Sequence, residues 1–121
     1  MSKRILVVED TEDNRQIVRD LLTSVGYEMI EAVDGAQGVE VAVREKPDLI
    51  LMDIQLPVFD GYEATRRIRA NEATSRIPII AVTSYALSGD EDKARAAGCD
   101  DYLAKPFSPR QLLAMVRARL G

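Results

Sequence analysis

The sequence predicts an α/β domain: a doubly wound, five-stranded parallel sheet in the order 2-1-3-4-5, with five helices. Three observations predict it. Short apolar runs recur along the chain, at Ile5-Leu6-Val7-Val8, Leu49-Ile50-Leu51-Met52 and Ile79-Ile80-Ala81-Val82. Each is too short for a helix and too uniformly apolar for a strand with one wet face, so each reads as a strand covered on both sides. Amphipathic helical stretches alternate with these runs, and right-handed crossovers between parallel strands then put helices on both faces of one sheet. Finally, the runs end abruptly in polar groups, Glu9-Asp10, Asp53 and Thr83-Ser84. Open parallel sheets bind their ligands at such carboxyl ends.

Strand one is Arg4 to Val8. Thr11 is placed to cap the first helix, with Glu12 and Asp13 favourable in its first turn; Ile17, Val18, Leu21, Leu22 and Val25 fall at helical spacing, and Gly26 ends it. Tyr27 to Ala32 reads as a second strand, whose Glu28 and Glu31 argue for an edge position. Asp34 caps a second helix carrying Val39, Ala42 and Val43, which stops before Pro47. After the central strand, Gly61 to Asn71 reads as a third helix, with Ala64, Ile68 and Tyr62 inward and Arg66, Arg67 and Arg69 on a solvated outer face. The fourth strand ends in hydroxyls. The fourth helix, Ser88 to Ala97, turns mainly alanines inward, so it buries little area and is expected to be weakly held. Asp101 to Ala104 forms a short fifth strand. Ser108 then caps a last helix with Leu112, Leu113, Val116 and Leu120 on one face. In the flavodoxin-like order 2-1-3-4-5, the crevice opens between strands one and three and receives Glu9, Asp10 and Asp53.

Composition narrows the chemistry. A chain of 121 residues, 46% of them hydrophobic, is expected to form one domain over 1–121, burying roughly two thirds of its unfolded surface. The formal net charge is -4 and no Lys or Arg stripe occurs, which argues against direct nucleic-acid binding. No stretch approaches a signal peptide or membrane span, and the one cysteine, Cys99, reads as a small buried apolar residue; the expected compartment is the cytoplasm. Histidine is absent, which removes imidazole ligands and His-activated nucleophiles, so the chemistry falls to oxygen and lysine.

Three carboxylates in one crevice repel one another unless a cation sits among them, and an all-oxygen set suits Mg2+ or another hard divalent ion. Asp53, anchored at a strand end, is placed to attack phosphorus and form an acyl phosphate. Thr83 offers a hydroxyl, and Lys105 a point charge, for a phosphoryl oxygen. Lys105 is one of only four lysines and lies in Tyr102-Leu103-Ala104-Lys105-Pro106-Phe107, and a lysine among apolar neighbours is rarely buried without a partner. On their residues alone, Asp53 is equally a turn residue beside Pro57 and Asp60-Gly61, and Tyr102 a half-buried edge tyrosine.

Glu9-Asp10, Asp53 in Met52-Asp53-Ile54-Gln55-Leu56-Pro57, Thr83 after its apolar run, and Lys105-Pro106 together resemble the receiver domain of two-component response regulators across the whole chain. The runs Lys46 to Pro57 and Gly98 to Tyr102 are most similar to stand-alone, single-domain receivers of the DivK type, and also to receivers appended to hybrid histidine kinases. The resemblance implies a phosphoacceptor Asp53. It implies Mg2+ held by Asp10, Asp53 and the Gln55 backbone carbonyl, with Glu9 acting through a metal-bound water. It further implies a switch pair, Thr83 and Tyr102, a cis Lys105-Pro106 bond, and self-assistance in phosphorylation and dephosphorylation only. The implied partners are a histidine kinase or phosphotransfer protein and a downstream protein docking on helix four, strand five and helix five. Because the chain stops at Gly121, output is expected to pass to another protein. Departures are Phe59, where methionine is frequent, and Ser84, where alanine is frequent.

A small aspartyl-phosphate hydrolase or a cofactor binder on the same fold is the alternative. A flavin-type phosphate loop is opposed by Glu9-Asp10-Thr11-Glu12-Asp13, which repels phosphate, and a haloacid-dehalogenase-type phosphatase expects a second Asp where Gln55 stands. A calcium loop starting at Asp10 is opposed by Arg15 at its glycine position and Leu21 at its bidentate acid.

Overall fold

In the computed structural model, which describes residues 2–84 and 90–120, ten elements alternate without exception. They are β1 (Arg4–Val8), α1 (Glu12–Ser24), β2 (Glu28–Ala32), α2 (Gly35–Glu45), β3 (Leu49–Asp53), α3 (Gly61–Ala70), β4 (Ile79–Thr83), α4 (Asp90–Ala97), β5 (Asp101–Ala104) and α5 (Pro109–Leu120). The strands are parallel and ordered β2-β1-β3-β4-β5, as expected. Ser88, the expected start of the fourth helix, lies outside the described residues.

Strand period two divides each apolar run between two cores. Leu6, Val8, Ile50, Met52, Ile79 and Ala81 face α2, α3 and α4. Ile5, Val7, Leu49, Leu51 and Ile80 face α1 and α5, where Leu22, Leu112 and Val116 close over them. Full burial of such side chains, each worth roughly 1.5–3 kcal/mol, is what holds the helices to the sheet. Among the described residues β2 pairs only with β1, and its Glu31 is neutralised by Arg15 and Arg19 reaching over from α1.

The helix ends follow local chemistry. Asp34 Oδ1 accepts the Gln37 N–H at 2.7 Å, Asp60 Oδ1 accepts the Glu63 N–H at 2.9 Å, and Ser108 exchanges hydrogen bonds with Gln111 in a capping box ahead of α5. Thr11 occupies the N-cap of α1, but its side chain makes no capping hydrogen bond. Lys46, at φ 47°, closes α2 in the left-handed region.

Three expectations about faces need correction. On α1 only Leu22 is fully buried, with Val18 and Leu21 packed beside it, while Ile17 is 57% exposed. Ile17 and Leu22 stand about 140° apart on the helical wheel, too far to share one narrow contact stripe. Val25 lies past the end of the helix and is also exposed. On α2, Val41 and the two glycines Gly35 and Gly38 join Ala42 in the core, where Gly38 packs on Val8 so closely that a Cβ would stand 2.9 Å from the Val8 side chain.

Arg69, expected on a solvated face, is instead a hub. Its guanidinium donates to the carbonyls of Gly98, Ser75 and Ile77 and to Asp100 Oδ2 at 2.8 Å, and that carboxylate oxygen also accepts the Ile79 N–H. It ties the end of α3 to the loops flanking β4 and β5. α4, by contrast, buries only Ala94 and Ala97 among the described residues, so its carboxyl end is held by this hub more than by packing. Arg69→Ala is expected to destabilise the domain by about 2 kcal/mol, the cost of breaking a partly exposed ion pair and leaving carbonyls unpaired. Urea unfolding checks it: the midpoint falls and the slope is unchanged.

Candidate functional site

The carboxyl ends of β1, β3, β4 and β5 bring the expected residues to one crevice. Asp53 is the last residue of β3 and 5% exposed; Glu9 directly follows β1 and is equally buried, while Asp10 beside it faces solvent. Carboxylate oxygens of the three lie within 4.8 Å of one another. Lys105 follows β5 at a cis bond to Pro106, and its ammonium bridges the buried pair, 2.8 Å from Glu9 Oε1 and 3.0 Å from Asp53 Oδ2. The other Asp53 oxygen accepts the Gln55 N–H at 3.0 Å.

The backbone beneath is rigid. Ile54 N–H continues the β3–β4 ladder onto the Val82 carbonyl, and Lys105 N–H bonds the Thr83 carbonyl at 2.7 Å, which fixes where the lysine leaves β5. Gly61 opens α3 against the Asp53 carbonyl, where a Cβ would stand only 2.2 Å away, so no larger residue lets the helix start there.

Thr83 ends β4 and is 1% exposed. Its Oγ1 accepts from Gln55 Nε2 at 3.2 Å, and Gln55 Oε1 accepts the Ser84 N–H at 3.2 Å. The family resemblance implies a role for Gln55 only through its backbone carbonyl, whereas the fold adds this side-chain link between the β3–α3 loop and the end of β4. No local pattern announces it, since it depends on two loops meeting. Tyr102 on β5 pairs in register with Ala81 on β4, sharing with Thr83 the face that packs under α4, and is half-buried there. Cys99 is buried as expected, its thiol 3.6 Å from the Thr65 hydroxyl and pushed up by burial.

The two buried carboxylates ionise very differently. Burial pushes the Asp53 carboxyl up, and the neighbouring Glu9 pushes it further, to about 6, against the pull of Lys105. Glu9 is also opposed by burial, but hydrogen bonds from Lys105 and Asp53 and the ammonium charge outweigh it and hold it down at about 2. Lys105 is raised, because the two carboxylates outweigh its own desolvation. One negative charge beside Lys105 is thus readily formed and the second is resisted. Three carboxylates against one ammonium leave the cluster two negative charges in excess when all are ionised, and oxygen is the sole donor type offered; this donor set fits a hard divalent cation.

A five-stranded parallel sheet with an acidic, lysine-bridged cluster at its switch point defines an open α/β domain with a cation-suited cleft at the carboxyl ends of its strands. Comparison with known proteins narrows the class. Residues 5–117 match the family model described as response regulator receiver domain. The chain is 41% identical, over all of its length and 98% of the relative's, to the polar-differentiation response regulator DivK of Brucella ovis. Its fold superposes with TM-score 0.93 on the crystal structure of the receiver domain of sensor histidine kinase PA1611 from Pseudomonas aeruginosa PAO1, at 45% identity and covering 100% of this chain and 99% of that one. That structure holds a magnesium ion coordinated in its active site cleft. Chemotaxis response regulator CheY4 of Vibrio cholerae matches with TM-score 0.92 at 29% identity, over 98% of each chain. The chain belongs to the response regulator receiver family, the phosphoacceptor modules of two-component signalling. Among the described residues, no helix is long and apolar enough to cross a membrane.

The carboxylate pair makes stability depend on pH in a defined sense. Asp53 binds its proton more tightly folded than unfolded, so its contribution is complete below about pH 4 and lost as pH rises through about 6. Glu9 has the opposite sign: its contribution is present above about pH 4.5 and lost as pH falls through about 2. In metal-free protein, Asp53→Asn is therefore expected to stabilise the fold by about 2 kcal/mol near pH 7, with the gain vanishing below about pH 4. Urea titrations across that range measure it.

Proposed function

We propose that Asp53 accepts the phosphoryl group and that its neighbours divide the work of supporting it. The observation that carries this reading is the Lys105 ammonium held between Glu9 and Asp53, a positive charge fixed where phosphoryl oxygens would arrive. Asp53 is the nucleophile as its carboxylate, in the hydrogen-bonded setting that the Gln55 N–H supplies. Lys105, released from the carboxylate it now neutralises, donates to a phosphoryl oxygen, and the Thr83 hydroxyl donates to another.

Asp10, Asp53 and the backbone carbonyl of Gln55 would hold Mg2+, with Glu9 acting through a metal-bound water. Bound there, Mg2+ supplies the charge that makes Asp53 ionise at neutral pH and neutralises the incoming phosphoryl group. The same residues assist hydrolysis of the acyl phosphate, so turnover is confined to the chain's own phosphorylation and dephosphorylation. The donor is a histidine kinase or a phosphotransfer protein.

Phosphorylation adds about -1.5 to -2 charges beneath the end of β4. Thr83 moves toward that charge and Tyr102 follows on the same face of the sheet, reshaping the surface of α4, β5 and α5. α4 is the element least costly to shift, with its two buried alanines. A downstream protein reads that surface, with residues 1–121 acting as one unit in the cytoplasm; a coupling of about 1–3 kcal/mol is the usual scale of such switches.

Incubation with acetyl phosphate and Mg2+ is expected to add one phosphoryl group by intact mass, and Asp53→Asn to abolish it with the fold intact. Retained acid-labile phosphate in that variant refutes the acceptor. Asp10→Asn is expected to weaken Mg2+ binding about tenfold or more by titration. With beryllofluoride and Mg2+, amide shifts are expected to reach Asp90–Ala97 and Tyr102; shifts confined to the surroundings of Asp10 and Asp53 would displace the switch surface. Steady turnover of a generic phosphate ester would instead mark a hydrolase.

A further inference from the structure

A groove of about 500 Å3 opens beside Asp53 and Lys105, on the side of the sheet covered by α1 and α5. Val7 and Leu51 line it from the sheet, Ile17 and Val18 from α1, and Phe107 and Leu112 from the β5–α5 connection and α5. Among the described residues, the polar lining away from the acidic end is Asn14 and Ser84. Its size lies within the roughly 300–1,000 Å3 of small-molecule sites. One end thus carries the cation and nucleophile suited to a phosphoryl group, and the rest of the described lining carries no charged residue. Ile17, 57% exposed and off the packing stripe of its helix, extends this apolar wall toward solvent.

We propose that this groove receives the apolar acyl portion of small acyl phosphates, so that Asp53 is phosphorylated faster by longer-chain donors than by acetyl phosphate. This deepens, and rests on, the assignment of Asp53 as the acceptor. The charge pattern selects the occupant: a dianionic phosphoryl head meets Lys105, and an uncharged chain meets an uncharged wall. In the step itself an Asp53 carboxylate oxygen forms a bond to phosphorus while the phosphorus–oxygen bond to the acyl group breaks. The acyl carboxylate leaves with the electron pair, and no proton is transferred. Each methylene taken out of water along the groove multiplies the rate by up to about fourfold.

The test compares acetyl phosphate with butyryl phosphate, whose leaving carboxylate is of nearly equal basicity, at equal subsaturating concentration with Mg2+, following intact mass. Butyryl phosphate is expected to label the chain about 3-fold to 15-fold faster. That ratio is expected to fall toward one in Ile17→Asn and, independently, in Phe107→Ser, and to persist in Val25→Asn, a comparably exposed apolar site outside the groove. Equal rates in the unaltered protein would leave the groove to a protein donor's side chains and overturn the proposal, while labelling that still needs Asp53 keeps the acceptor intact. A preference unchanged in both groove variants would also overturn it. No labelling by either donor, or labelling that survives Asp53→Asn, would refute the acceptor assignment and the groove's role with it.

Discussion

The rest of the structure depends on how two buried carboxylates and one ammonium share the carboxyl edge of the sheet. Lys105 satisfies Glu9 and Asp53 at once, within 3.0 Å of each, but one cation balances only one of them. Asp53, pushed up to about 6, carries the imbalance. With Asp10 beside them, the three carboxylates exceed the ammonium by about the charge of one divalent cation, and Asp53 is the residue most penalised by that deficit. Energy that burial withholds from the Asp53 anion would be recovered if positive charge arrived, so in the metal-free protein the cluster is a stability liability.

That edge is precise because β1, β3 and β4 beneath it are buried on both faces. Apolar runs of four residues leave no polar side chain until the strand ends, and the ladder hydrogen bonds from Ile54 to Val82 and from Lys105 to Thr83 carry the sheet's register into the loops. The functional side chains are therefore placed by backbone geometry rather than by their own contacts. Gly61, pressed against the Asp53 carbonyl, brings α3 down onto the same strand end.

Rigidity is unevenly distributed. Leu22, Leu112 and Val116 fasten α1 and α5 to the sheet, whereas α4 offers Ala94 and Ala97 and relies on Arg69 to secure its carboxyl end. Local openings follow the least buried area. On the face that carries Thr83 and Tyr102, α4 is thus the helix that buries the fewest side chains among the described residues.

Much of the fold and of the site was legible from particular residues. Uniform apolar runs ending in Glu9-Asp10, Asp53 and Thr83 specified covered parallel strands and a polar carboxyl edge, because strand burial and chain punctuation are local properties of sequence. The lysine among apolar neighbours at Lys105 signalled a partner for the same reason. Tertiary structure alone decided the rest. Arg69 looks identical in sequence to Arg66 and Arg67, and becomes a hub only because Gly98 and Asp100 fold back across it. Gln55 reaches Thr83 only when two loops meet, Ile17 borders a groove that exists only because the β5–α5 connection and α5 lie beside α1, and the unequal ionisation of Glu9 and Asp53 arises from the way the two buried groups share Lys105 and face each other. Residue type and spacing determine what a segment can form and which chemistry it carries; which groups approach within 3 Å, and how far water is excluded from them, depends on contacts between segments distant in the chain.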